Sequence, residues 1–308
     1  MNPAAGSCEA MMNRKSTSEK IGLPVIYVLL GLITFITIYP FWYVFIYSIS
    51  DSMETIRRAV FLLPLKPTLD AFRRLSNVPT MWTSYLNSTL VTSVGTSLAV
   101  VLSVSLAYPL SVSRIRFRGG ISMMLFFTML FSGGMIPNYL LVKQLGLLNS
   151  RWALILPGLG SAFNILILRN YFMSIPAELE ESASIDGATP VRILVSIIIP
   201  ISTPAIAVQA MFYGVGYWNN FFDSVLYIDS ISKISLQAYL RTLMSMSLIS
   251  ATAGDASSVI DSVTNAAVLS EETMRMAAVM AAVIPVLIVY PFLQRYYVKG
   301  IIVGSVKG

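Results

Sequence analysis

Four carboxylates, Glu178, Glu180, Glu181 and Asp186, crowd into the stretch 174–200, SIPAELEESASIDGATPVRILVSIIIP. Clustered acids serve either proton transfer in a cleft or docking against a basic partner. The chain is poorly equipped for the first. It has no histidine and one cysteine, Cys8, which excludes Cys/His zinc sites, histidine bases and internal disulfides. No Gly-Lys dipeptide occurs, so the lysine of a phosphate-binding loop is absent. A second constellation, Tyr217-Trp218-Asn219-Asn220, joins two amphipathic rings to two amides. Such rings stack on the apolar faces of sugars, and they also anchor helix ends at a membrane interface. Paired asparagines are costly against lipid and suit a helix contact or a water-filled path.

The acids need an element to hold them, and the local chemistry predicts helix, sharp turn, helix. Pro176 suits a first helical turn, and the acids after it meet the positive end of the helix dipole. Asp186-Gly187 is a turn signal, because glycine accepts the left-handed backbone that ends a helix. Thr189-Pro190 reads as an N-cap and a first-position proline, opening a second helix through Arg192 to Pro200. Taken by itself, such an elbow is an ordinary polar loop or a docking handle.

Its surroundings are apolar. Of 308 residues, 56% are hydrophobic and 12% charged, with a mean hydropathy of +0.72. Soluble domains carry about 25% charged residues, so this composition points to lipid. Uncharged runs cover Ile21–Ser50, Leu75–Ser113, Gly119–Val142, Trp152–Leu168, Ile193–Phe222 and Met276–Gln294. About 20 apolar residues cross a bilayer, which predicts six spans, the fourth extending to Ile175. Pro40, Pro109, Pro157, Pro204, Pro285 and Pro291 fall inside them and read as kinks in packed helices. The net charge of +6 is scattered through loops, not gathered into a nucleic-acid stripe. Between the fifth and sixth runs, Leu236, Tyr239, Leu240, Leu243 and Met244 recur at helical spacing. That helix is either an interfacial element or a docking surface. Residues 245–270, rich in Ser, Ala, Thr and Gly, read as an exposed connection.

Glu181-Ser182-Ala183, then Asp186-Gly187-Ala188, then Ile197-x-Ile199-Pro200 resembles the EAA motif of ABC-importer permeases. In that pattern E-A-A is followed by three residues, a glycine, nine residues and I-x-L-P. Ser182 and Ile199 are its two mild departures here. Trp218-Asn219-x-Phe221 and Leu236-Gln237-x-Tyr239-Leu240 are similar to the carbohydrate-uptake, oligosaccharide-permease branch. The resemblance implies an all-α polytopic membrane protein with six transmembrane helices and the MetI-like permease fold. It implies a tail (1–20), a permease domain (21–295) with elbow 174–192 and external loop 223–275, and a second tail (296–308). By the same resemblance Glu181, Ser182, Ala183, Asp186, Gly187, Ile197 and Pro200 couple to an ATPase. Tyr217, Trp218, Asn219 and Asn220 border the translocation path or its gate. Lys299, Gly300 and Lys307 belong to a C-terminal end reaching the ATPase; as chemistry alone, that end is a solvated basic tail meeting anionic headgroups. The implied partners are a second homologous permease, two cytoplasmic ATPases, an external solute-binding protein and the lipid bilayer, with no nucleic acid. No cofactor is expected in this chain, ATP and magnesium lying in the ATPases.

Charge alone does not orient the chain. A cytoplasmic elbow puts eleven Lys/Arg inside and ten outside, five of the latter in the first external loop (Arg57, Arg58, Lys66, Arg73, Arg74). The tight Arg114-x-Arg116-x-Arg118 turn and the resemblance place the elbow and both termini in the cytoplasm of a bacterial cell. Two other function classes suit the sequence less well. A membrane-embedded transferase would have only the Glu178–Asp186 group to work with. A standalone proton- or sodium-coupled carrier would bury an ionisable relay, and the uncharged runs hold none.

Overall fold

The structure, a computed structural model, describes residues 17–57, 62–252 and 272–291. Among the described residues there is no strand, and helices carry nearly everything. We number them α1 (Thr17–Ser48), α2 (Ser52–Arg57), α3 (Asp70–Ser76), α4 (Pro79–Ser111), α5 (Arg118–Leu130) and α6 (Met135–Gln144). There follow α7 (Trp152–Gly158), α8 (Ala162–Met173), α9 (Glu178–Ile185), α10 (Pro190–Ile201), α11 (Thr203–Asn219), α12 (Phe222–Tyr227), α13 (Leu236–Thr252) and α14 (Glu272–Pro291).

Three stretches, Gly22–Ser48, Pro79–Ser111 and Glu272–Pro291, are long and apolar enough to cross a membrane unaided. The other three expected spans are broken. The α5–α6 pair bends by 111°, α7–α8 by 46° and α10–α11 by 83°, so there are up to six spans if each bent pair counts as one. The last break has a readable cause. Pro200 and Pro204 each remove a backbone donor, and residues Leu194–Ile198 widen into a π turn just before them. Two expected boundaries also shift. Helix α1 begins at Thr17, inside the stretch expected as a tail, and α13 runs on to Thr252, past the expected end of its periodic part.

Helix α4 is the axis of the fold: α11 and α8 pack along it, and α13 and α7 touch it too. Its sequence suits that place. Ser93, Ser97 and Ser105 give their hydroxyls to carbonyls one turn back, so their small polar side chains need no outside partner. Three clusters stack along it. One gathers Val104, Tyr108, Leu168, Phe172, Ala183 and Ile198 at the elbow end. The next holds Val91, Ala99, Ile155, Tyr213 and Tyr217. At the far end are Leu75, Met81, Trp218, Leu236, Leu240 and Ala278. Helix α1 stands apart, with only its last turn, at Ile46 and Tyr47, buried. Its exposed Leu, Ile and Phe side chains would be untenable in water over such a length and are at home in hydrocarbon.

Candidate functional site

The elbow is built as its sequence predicts. Leu179 N–H donates to Pro176 O (3.3 Å) and Glu181 N–H to Ala177 O (3.0 Å), so the first turn starts at the proline. Glu178, Glu180 and Glu181 all lie in the first turn of α9, where the unpaired N–H groups favour negative charge. The helix ends in a Schellman turn: Ala188 N–H donates to Ala183 O (2.9 Å) and Gly187 N–H to Ser184 O (3.1 Å). Gly187 has φ +79°, a conformation that any Cβ would strain. Thr189 then caps α10, its hydroxyl accepting from Arg192 N–H at 3.4 Å with Pro190 first in the helix.

Burial divides the motif residues. Ala183 is 9% exposed and seated in the Val104–Tyr108–Phe172 cluster. There the elbow is fastened to the bundle, with Ala188 packed against the same cluster. Glu181, Ser182, Asp186 and Gly187 are exposed, presenting a carboxylate face away from the bundle. Ile197 is partly buried against the same cluster, its neighbour Ile198 is fully buried, and Pro200 is exposed just after the π turn. Two residues that sequence reasoning missed belong to the outer face. Ile185 is 86% exposed and Val191 70% exposed, flanking the Asp186-Gly187 turn with apolar side chains. Helical periodicity on so short an element carries no signal that would single them out. Glu180, in contrast, turns back into the fold and lies against the Tyr108 hydroxyl of α4.

The aromatic constellation divides as sharply. Tyr217 is buried between α4 and α7; its hydroxyl donates to Ile155 O (2.9 Å). A Cβ at Gly95 would stand 2.8 Å from its ring, and one at Gly158 would stand 2.9 Å from its oxygen. Both glycines are notches for this one side chain. Trp218 is also buried, donating Nε1–H to Ala282 O of α14 (3.2 Å) and meeting Tyr85 edge to face at 5.8 Å. Asn219 is exposed, and Asn220 accepts from Asp223 N–H (3.1 Å) just ahead of α12. The rings therefore brace α11 and the amides lie at its end. One turn further along, Ser103 and Tyr213 share a buried hydrogen bond of 2.7 Å.

A third node was not foreseen. Asn87, 3% exposed, donates to Ser232 O (2.9 Å) and Ile234 O (3.1 Å) and accepts from Arg151 Nε (2.9 Å). It pins the turn before α13 to α4 and α7 at the end of the bundle opposite the elbow. Lys299, Gly300 and Lys307 lie outside the described residues.

No protein-family model matches the chain. Among curated proteins, Protein LplC of Bacillus subtilis is 42% identical over 279 residues, covering 91% of this chain and 92% of LplC. The polygalacturonan/rhamnogalacturonan transport system permease protein YtcP of the same organism is 41% identical over 284 residues, 92% of this chain and 97% of YtcP. Among solved structures, a chain from a bacterial ABC transporter involved in the import of the acidic polysaccharide alginate superposes with a TM-score of 0.81. It is 35% identical and aligns over 92% of this chain and 99% of its own length.

Proposed function

The chain belongs to the permease family of carbohydrate ABC importers, and from that premise we propose that it forms half of an ATP-driven, binding-protein-dependent path for an oligosaccharide. The observation that carries this reading is the elbow: a short acidic helix fastened to the central helix by Ala183 and presenting Glu181, Ile185 and Asp186 outward. A lever needs a rigid root and an exposed tip, and both are on hand. The chain itself does no chemistry; ATP and magnesium are held by two cytoplasmic ATPases against which the elbow docks. A second homologous permease completes the path, and an external solute-binding protein delivers the sugar. Closure of the ATPases moves the elbows, and the two permeases rock between inward- and outward-facing arrangements. The elbow and both termini are cytoplasmic, in the bacterial cell membrane. Asn219 and Asn220 border the outer end of the path, with Tyr217 and Trp218 holding the helix that carries them. Alginate and polygalacturonan both carry carboxylates, which makes acidic oligosaccharides the first substrate class to test.

The test is ATPase pull-down and oligosaccharide uptake at matched membrane levels. Glu181→Lys reverses the charge of the exposed tip, and Gly187→Val forbids the left-handed turn. Ala183→Phe overfills the seat of the elbow. A desolvated charge pair lost at a docked interface costs about 2–5 kcal/mol, against about 0–1 kcal/mol for a solvated loop carboxylate. By this difference Glu181→Lys should lose coupling by about fivefold or more, Gly187→Val and Ala183→Phe should lose it by displacing the tip, and Ser182→Ala and Glu178→Lys should not. Glu180→Lys is no neutral control, because that side chain faces Tyr108. Uptake near wild type in all three would reduce the elbow to a loop.

A further inference from the structure

Beside the elbow a groove of about 920 Å³ opens between α4, α9 and α10. Val100, Val101 and Val104 form one wall, and Leu194, Val195 and Ile199 form the other. The polar atoms on these walls are already used. Ser105 gives its hydroxyl to Val101 O and Ser184 gives its own to Glu180 O, each at 2.7 Å, and the Tyr108 hydroxyl faces Glu180. A sugar would find few partners for its many hydroxyls along these valine, leucine and isoleucine walls, whereas an acyl chain requires none.

The mouth is cationic. Arg114, an exposed arginine, lines it. Among the described residues Arg114 forms no ion pair. Glu180 is the acid that approaches this wall, and it is turned to Tyr108. A guanidinium at the rim of an apolar slot between membrane helices matches the headgroup of an anionic lipid with its chains inside. We propose that the groove is a binding site for one anionic phospholipid, acyl chain against α4 and α10, phosphate at Arg114. A lipid so placed touches the central helix and the root of the elbow together, and its occupancy stiffens the lever. The inference rests on the membrane reading of α4 and α10 and is independent of which sugar is carried.

Native mass spectrometry of the detergent-purified transporter tests it, with phosphatidylglycerol and phosphatidylcholine of identical chains titrated after delipidation. Phosphatidylglycerol should bind in preference, and Arg114→Gln should weaken it about fivefold, the effect of one basic residue at a lipid surface, with no change for phosphatidylcholine. Val101→Trp fills the groove from an exposed position and should abolish the adduct while the complex stays assembled. Equal binding of the two lipids, or no change in Arg114→Gln, would overturn the proposal. Loss of the second permease from Val101→Trp with the lipid adduct intact would assign the groove to that partner instead. Neither reading depends on uptake, so a failed coupling test and a failed lipid test are told apart.

Discussion

Gly95 offers the sharpest test of how α11 is held. Replacing a helical glycine by alanine normally stabilises, by about 0.8–1.0 kcal/mol. Here the new methyl would lie 2.8 Å from Tyr217 Cζ and 2.9 Å from Cε2. The ring cannot swing aside, because its other face is against Gly158 and its hydroxyl is tied to Ile155 O. Overpacking of this kind costs about 1–3 kcal/mol. The clash should therefore match or exceed the helical gain, leaving Gly95→Ala less stable than wild type by up to about 2 kcal/mol. In a Tyr217→Leu background the obstacle is gone and the same substitution should stabilise. The coupling energy of the cycle is then about 1–3 kcal/mol, within the range of contacting pairs. Equilibrium unfolding of the detergent-purified transporter by SDS titration, for wild type, both single variants and the double, measures it. A cycle additive to within about 0.5 kcal/mol would show that Tyr217 is not wedged in this notch.

Two further outcomes are open to measurement. Asn87→Leu should orphan the Ser232 and Ile234 carbonyls and free Arg151, lowering stability by at least about 2 kcal/mol in the same titration; a loss below about 0.5 kcal/mol would mean the turn before α13 is held otherwise. For orientation, single cysteines at Ser182 and Ser257 in a Cys8→Ser background should differ toward an impermeant maleimide in intact cells. Labelling at Ser257 is expected, and labelling at Ser182 without Ser257 would invert the arrangement.

The elbow was legible from the sequence because its signals are local. Acids in a first turn, Asp-Gly at a helix end and Thr-Pro at a helix start each act through backbone within four residues, and each is found in place, down to the positive φ of Gly187. Apolar run length likewise marked the membrane segments, since hydrocarbon thickness sets the count of residues needed. Run length does not fix direction, however. The 111° and 83° breaks divide stretches that read as continuous, because a proline or a serine in a span bends it only if neighbouring helices take up the freed backbone groups. Tertiary structure alone decided which way Tyr217 and Trp218 point. An aromatic pair at a helix end looks the same whether it faces sugar, lipid or a glycine notch, and the notches, Gly95 and Gly158, lie 122 and 59 residues away in the chain, 217 − 95 and 217 − 158. The same holds for Glu180 and Glu181, adjacent acids of equal propensity. The helical rotation between successive residues turns one to Tyr108 and the other outward, a distinction fixed by the packing of Ala183 rather than by either glutamate.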